Sequence, residues 1–212
     1  MRSHPLTRSA LTAFAIALLA QPARAQQFEG VIIANMSDQN ATVTYSIKGE
    51  KLRTEMAMGA EMRAATIIDR AARKMILLLP GQQAYMERAL DTGVVGGRGQ
   101  AHTDADFSWT GTHQTIAGVP CDDAVLQERD GMRLNMCIAR GITFAAGGGM
   151  MGRGVPRNNW QSRIQGGFPM RVQREGEAKP LMEVMSVERK ALPDDLFTPP
   201  AGWTKMSMFG HP

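Results

Sequence analysis

Only two cysteines occur in this chain, Cys121 and Cys137, and they are too far apart to form a C-x-x-C motif. That excludes a dithiol redox motif and a cysteine-built zinc site, both of which need closely spaced sulfurs. Histidine is almost as scarce, with His102, His113 and His211 the only ones beyond His4. No G-x-S-x-G or G-x-x-x-x-G-K-[ST] motif and no paired-carboxylate pattern is present. Nothing therefore assembles a nucleophile, a phosphate cradle or an acid–base pair. The chain reads as non-enzymatic, with no catalytic residue, no cofactor and no metal site assigned, and with its ligand-binding residues unknown.

The charge balance also excludes a class of partner. The chain carries 24 basic and 20 acidic residues, but Arg2, Arg8 and Arg24 fall in an N-terminal leader. Without them the balance is nearly even, and a nucleic-acid partner, which needs a clustered basic surface, is not expected. The leader itself has the three parts of a secretory signal peptide: a basic start without acids, the apolar run Ala10 to Ala20, and small residues at Ala23 and Ala25. Cleavage after Ala25 is expected, giving a signal peptide over 1–25 and periplasmic localisation. The apolar run is about half of what a bilayer requires, so no transmembrane segment is expected after cleavage. No cysteine follows it to carry a lipid.

What remains is patterned as strands. Residues 28–35 open the domain, and 41–48 alternate Val43, Tyr45 and Ile47 with Thr42, Thr44, Ser46 and Lys48. Gly49-Glu50 turns the chain into 51–56, where Leu52, Thr54 and Met56 alternate with Lys51, Arg53 and Glu55. Strands are expected again over 62–69, 74–79 and 83–88. The run Lys74 to Leu79 lacks alternation, as in a strand covered on both faces. Residues 91–108 read as a glycine-rich loop, in which His102, Asp104 and Asp106 match no metal-ligand spacing. Residues 109–116 resume the sheet.

The cysteines sit on the next hairpin. With Arg129-Asp130-Gly131 as its loop, Leu126 faces Leu134, Ala124 faces Met136 and Asp122 faces Ile138. Cys121 and Cys137 then share the opposite face on a diagonal, where neighbours sit about 7–8 Å apart. A disulfide needs a closer approach, so the Cys121–Cys137 bond is expected to come with a bulge or kink near Pro120. The following run, 145–154, places Gly147, Gly149 and Gly152 at G-x-G-x-x-G spacing. It carries no lysine and leads into no helical pattern, so it reads as a soft apolar flap around Met150 and Met151. A last pair is expected over 168–174 and 182–190, then one helical turn at 192–197. The domain is thus bounded at 26–203, with 204–212 a flexible tail.

Several short motifs together carry a resemblance. They are Ile67-Ile68-Asp69, Lys74-Met75, Pro80, Tyr85, Ala117-Gly118-Val119-Pro120-Cys121, Phe168-Pro169-Met170 and Leu196-Phe197-Thr198-Pro199. In that order they resemble uncharacterised bacterial periplasmic domains related to the lipoprotein carrier LolA and its lipid-binding relatives such as LppX. The resemblance implies a mainly β fold: a curved, incompletely closed antiparallel sheet, a half-barrel with few short helices. It also implies an apolar ligand on the concave side.

Two functions follow as expectations. The first is a periplasmic binding protein for a lipid or other apolar ligand, lined by Val43, Tyr45, Ile47, Leu52, Met56, Ile76 and Leu78, with envelope proteins as further partners. The second draws on the 16 methionines. Thioethers suit Cu(I), and Met56, Met58 and Met62, or Met206, Met208 and His211, would hold it in a copper-handling protein.

Overall fold

The computed structural model describes residues 27–58, 62–90, 106–127, 131–142, 164 and 167–207. Twelve strands form one sheet: β1 (Glu29–Met36), β2 (Ala41–Lys48), β3 (Lys51–Met58), β4 (Met62–Asp69), β5 (Lys74–Leu79), β6 (Ala84–Ala89), β7 (Asp106–Ile116), β8 (Val119–Gln127), β9 (Arg133–Ala139), β10 (Phe168–Arg174), β11 (Met182–Arg189) and β12 (Thr204–Met206). Their order across the sheet is β12-β6-β5-β4-β3-β2-β1-β11-β10-β9-β8-β7. All neighbours are antiparallel except β12, which lies parallel to β6. Because β7 and β12 are the two free edges, the sheet is not closed. Among the described residues, helix is limited to 3₁₀ turns at Ser37–Gln39, Pro80–Gln82 and Asp194–Phe197.

Local chemistry sets the hairpins. Lys48 pairs with Lys51, so Gly49 and Glu50 make a two-residue loop, and Gly49 takes the left-handed φ of +57° that its first position demands. Gly30 answers a different need. A Cβ there would overlap the carbonyl oxygen of Glu188 and touch Arg189 Cα at 3.0 Å, so only glycine lets β1 and β11 pair closely. Farther along the same pair a bulge leaves Met185 as an extra residue, 63% exposed.

The inner face forms the main core. Ile32, Tyr45 and Leu52 from β1–β3 pack in one cluster with Leu126, Met136 and Val172 from β8–β10. Tyr45 of β2 meets Phe168 of β10 edge-on at 5.4 Å between ring centres. Those strands are three places apart, about 14 Å in a flat sheet at the usual strand spacing. The sheet must curl to bring the rings together, which is the half-barrel expected from the sequence.

The outer face has two characters. Over β4 and β5, Ala65, Ile67, Ile76 and Leu78 form a second apolar cluster, capped by Leu192 and Phe197 of the C-terminal segment. That segment works as a strap. Lys48 Nζ donates to the Leu192 carbonyl at 2.6 Å, Arg53 Nη1 to that of Leu196 at 3.0 Å, and β12 then joins the sheet edge. Over β8–β11 the outer face is polar.

Four sequence expectations change. Thr204–Met206 is a paired strand rather than part of a flexible tail; its three residues are too few to show a period. β7 starts at Asp106, inside the segment read as a loop. Ile76 and Leu78 belong to the outer cluster, not to a concave lining, because an unalternating run does not say which side each residue faces. No shift interrupts the β8–β9 register, which ends at Asp122 opposite Ile138. Cys121 lies one residue past that last pair, and the cysteines close there at a Cα separation of 5.4 Å. The leader, the turn at 59–61 and the glycine run at 145–154 lie outside the described residues.

Candidate functional site

The inner face is filled at its centre and opens toward the β6 edge. Reading across one row from β2, Tyr45 is followed by Thr54, Thr66, Leu77, Met86 and Met206 on successive strands. Tyr45 is fully buried, Leu77 and Met86 are half-buried, and Met206 is 40% exposed. The neighbouring rows repeat the trend: Leu52 and Ile68 are buried while Met75 beyond them is not, and Val43 is buried while Met56 is not. Burial also raises the Tyr45 phenol to about 12, since its anion would sit in an apolar core. The result is a soft apolar shelf of methionine and leucine beside a rigid aromatic core. Methionine suits such a surface because its unbranched thioether adapts to whatever it touches.

At the opposite edge the inner face is polar. The tight turn at Ala117-Gly118 pairs His113 with Asp122, and Trp109 pairs with Ala124 across a bulge in which Thr110, Gly111 and Thr112 stand against Asp123 alone. Gly111 in that bulge has φ +83°. Asp122 Oδ1 lies 2.6 Å from His113 Nδ1, and its Oδ2 forms an ion pair with Arg140 Nε. Arg140 stacks on Trp109 at 4.7 Å, and Phe107 meets Trp109 edge-on at 5.1 Å.

Two clefts lie on the outer side. One of about 250 Å³, lined by Thr110, Gln114, Asp123, Asn135, Arg171 and Gln173 among others, lies over Cys137. It is closed by its own bonds: Thr112 and Gln114 both donate to Asp123 at 2.7 Å, and Arg171 is held by Gln114 and Glu183. The other, about 550 Å³, lies between the strap and the β2–β3 and β4–β5 turns. Hydrogen bonds from Lys48 and Lys51 hold the Asp194 carboxyl there below its ordinary range. Both clefts use their charges on one another, so they read as structural clasps.

Of the residues singled out from sequence, Cys121 and Cys137 are bonded. Met56 and Met206 lie on the inner face, at the open end. Met58 and Met62 are register partners in the β3–β4 pair, whereas His102, Met208 and His211 lie outside the described residues. Among the described residues no group of three or more His, Cys, Asp or Glu side chains is placed to hold a metal. The Trp109, His113, Asp122 and Arg140 cluster is not foreseen by any motif; its one signal is the two-residue turn at Ala117-Gly118, which fixes His113 opposite Asp122.

Residues 28–203 match the model of a protein family described as a domain of unknown function, DUF4412. The chain belongs to this family. No curated protein matches it. Among solved structures it is similar to an uncharacterized conserved protein from Thermus thermophilus, at 10% identity and a TM-score of 0.52, over 86% of this chain and 91% of that one. That likeness is one of fold. A weaker likeness, TM-score 0.47 at 14% identity, joins 85% of this chain to 31% of the chain in a structure of PNGF-II, and no argument rests on it.

Proposed function

We propose that this DUF4412 protein is an exported, non-enzymatic binding protein that takes an apolar ligand, such as a lipid chain, on the open part of its inner face. The observation that carries this reading is the change along the Tyr45 row, from complete burial to the half-exposed Leu77, Met86 and Met206. A sheet that only needed a core would end its apolar residues where its packing ends. Here, past Thr54 and Thr66, the row turns apolar again at Leu77 and stays so to the free edge. The LolA-like motif order and the signal-peptide pattern support the same reading, since carriers of that kind work in the periplasm. Covering a twelve-carbon chain would contribute on the order of 10 kcal/mol before the cost of ordering it.

The test uses the purified protein and the apolar fluorophore N-phenylnaphthylamine, displaced by dodecanol. Saturable binding of one equivalent is expected, weakened about tenfold by Leu77→Asp, a charge on the shelf. Met86→Gln, which is milder toward folding, should weaken it in the same direction. Absence of saturable binding to the native protein would overturn the reading.

One observation favours a second reading. Met206 stands opposite Met86, and Met75 lies on the diagonal from Met86, so three thioethers share one face at the edge. Such soft ligands suit Cu(I). Met206→Leu keeps the shape and removes the sulfur; a large loss of Cu(I) affinity with unchanged fluorophore binding would favour copper over lipid.

A further inference from the structure

Among the described residues, the polar edge of the inner face holds a guanidinium in place through its Nε and its flat face alone. In the β7 bulge Thr110 and Thr112 donate to Asp123, while Trp109 and His113 share the inner face opposite Ala124 and Asp122, so that the bulge draws Trp109 along the strand toward Asp122. Arg140 is restrained by the ion pair of its Nε with Asp122 and by its stack on Trp109. Among the described residues neither Nη1 nor Nη2 has a partner, and the side chain is 63% exposed. An ordinary surface ion pair contributes little and requires no such arrangement. Bulges, by contrast, re-aim side chains where a site is built.

The chemistry of the free end narrows the ligand. Two parallel N–H donors in one plane match an oxyanion with two oxygens. Trp109 and Phe107, both partly exposed, offer apolar surface directly beside it. Asp122 offsets much of the positive charge, so a singly charged head suits the site better than a doubly charged phosphate. We propose that Arg140, positioned by Asp122 and Trp109, receives the carboxylate of a long-chain fatty acid whose alkyl chain runs over Trp109 and Phe107. This site lies at the edge opposite the Leu77 shelf, with the filled core between them, so it is a second site for an apolar chain and does not rest on the shelf.

Calorimetry with dodecanoate, dodecanol and dodecyl phosphate separates the two claims. The native protein should bind dodecanoate about tenfold more tightly than dodecanol, the scale of one charged hydrogen-bonded contact. Arg140→Gln should erase that preference while leaving dodecanol affinity unchanged, and Arg140→Lys, which cannot pair two oxygens in one plane, should restore it only in part. Equal native affinity for acid and alcohol, or a preference that survives Arg140→Gln, overturns the head-group site and leaves the apolar reading standing. Tighter binding of dodecyl phosphate overturns the choice of carboxylate. Binding of none of the three overturns both.

Discussion

Cys121 and Cys137 are bonded although neither faces the other in the sheet: Cys137 stands opposite Asp123, and Cys121 opposite Gln114. The bond therefore ties β8 to β9 along a diagonal, at the point where their pairing ends. Its 16-residue separation sets the entropy it removes from the unfolded chain, about 3 kcal/mol. Cys121 and Cys137 are 2% and 1% exposed, so a reductant reaches them only when the structure opens. Dithiothreitol is expected to leave the native protein oxidised and to reduce it in urea. Cys121→Ala with Cys137→Ala should unfold about 3 kcal/mol earlier with unchanged far-ultraviolet circular dichroism. Thiol counting and urea titration check this; fast reduction of the native protein or an unshifted midpoint would contradict it.

The strap is expected to stabilise the outer face of β4 and β5 chiefly through Phe197. That side chain is 5% exposed and packs on Ile67, Ile76 and their neighbours, so Phe197→Ala leaves a cavity costing about 3 kcal/mol or more. Lys48→Met removes the hydrogen bond to the Leu192 carbonyl and the ion pairs to Glu29 and Asp194. With Lys48 about a third exposed, solvent screens those pairs, and a loss nearer about 1 kcal/mol is expected. Limited proteolysis of both variants, read by mass at the C-terminal end, should show the strap released more readily in Phe197→Ala. Equal protection of the two would place the strap's stability in its polar contacts instead.

These two regions differ in how far the sequence announces them. Alternation in 41–48 and 51–56 and the short turns fix where strands start and which residues face inward, and Ala124 opposite Met136 follows from counting around one loop. Counting fails where the pattern carries no period. Lys74–Leu79 is apolar throughout, and only the distant Leu192 and Phe197 show that Ile76 and Leu78 face outward. Thr204–Met206 is a strand because β6 offers it an edge, a tertiary fact absent from three residues of local sequence. The polar edge is legible only in part: the Ala117-Gly118 turn sets His113 against Asp122, but Arg140 arrives from the end of β9. The bulge that moves Trp109 from opposite Leu126 to opposite Ala124 has no signal beyond Gly111.

Tyr45 links the core to pH. Burial in the inner cluster raises its phenol to about 12, above the ordinary value near 10. The unfolded chain therefore loses this proton first as the solution is made alkaline. Its contribution to stability is complete below about pH 10 and disappears as pH rises through the folded value. The phenolate absorbance of Tyr45, read as the difference between the native protein and Tyr45→Phe, should therefore appear only as native circular dichroism is lost. Tyr45→Phe should also flatten the fall in stability between about pH 10 and 12. A Tyr45 phenolate that forms while the circular dichroism is still native would mean that water reaches the centre of the inner face, and that the shelf beside it is deeper than its half-exposed rim at Leu77 and Met86.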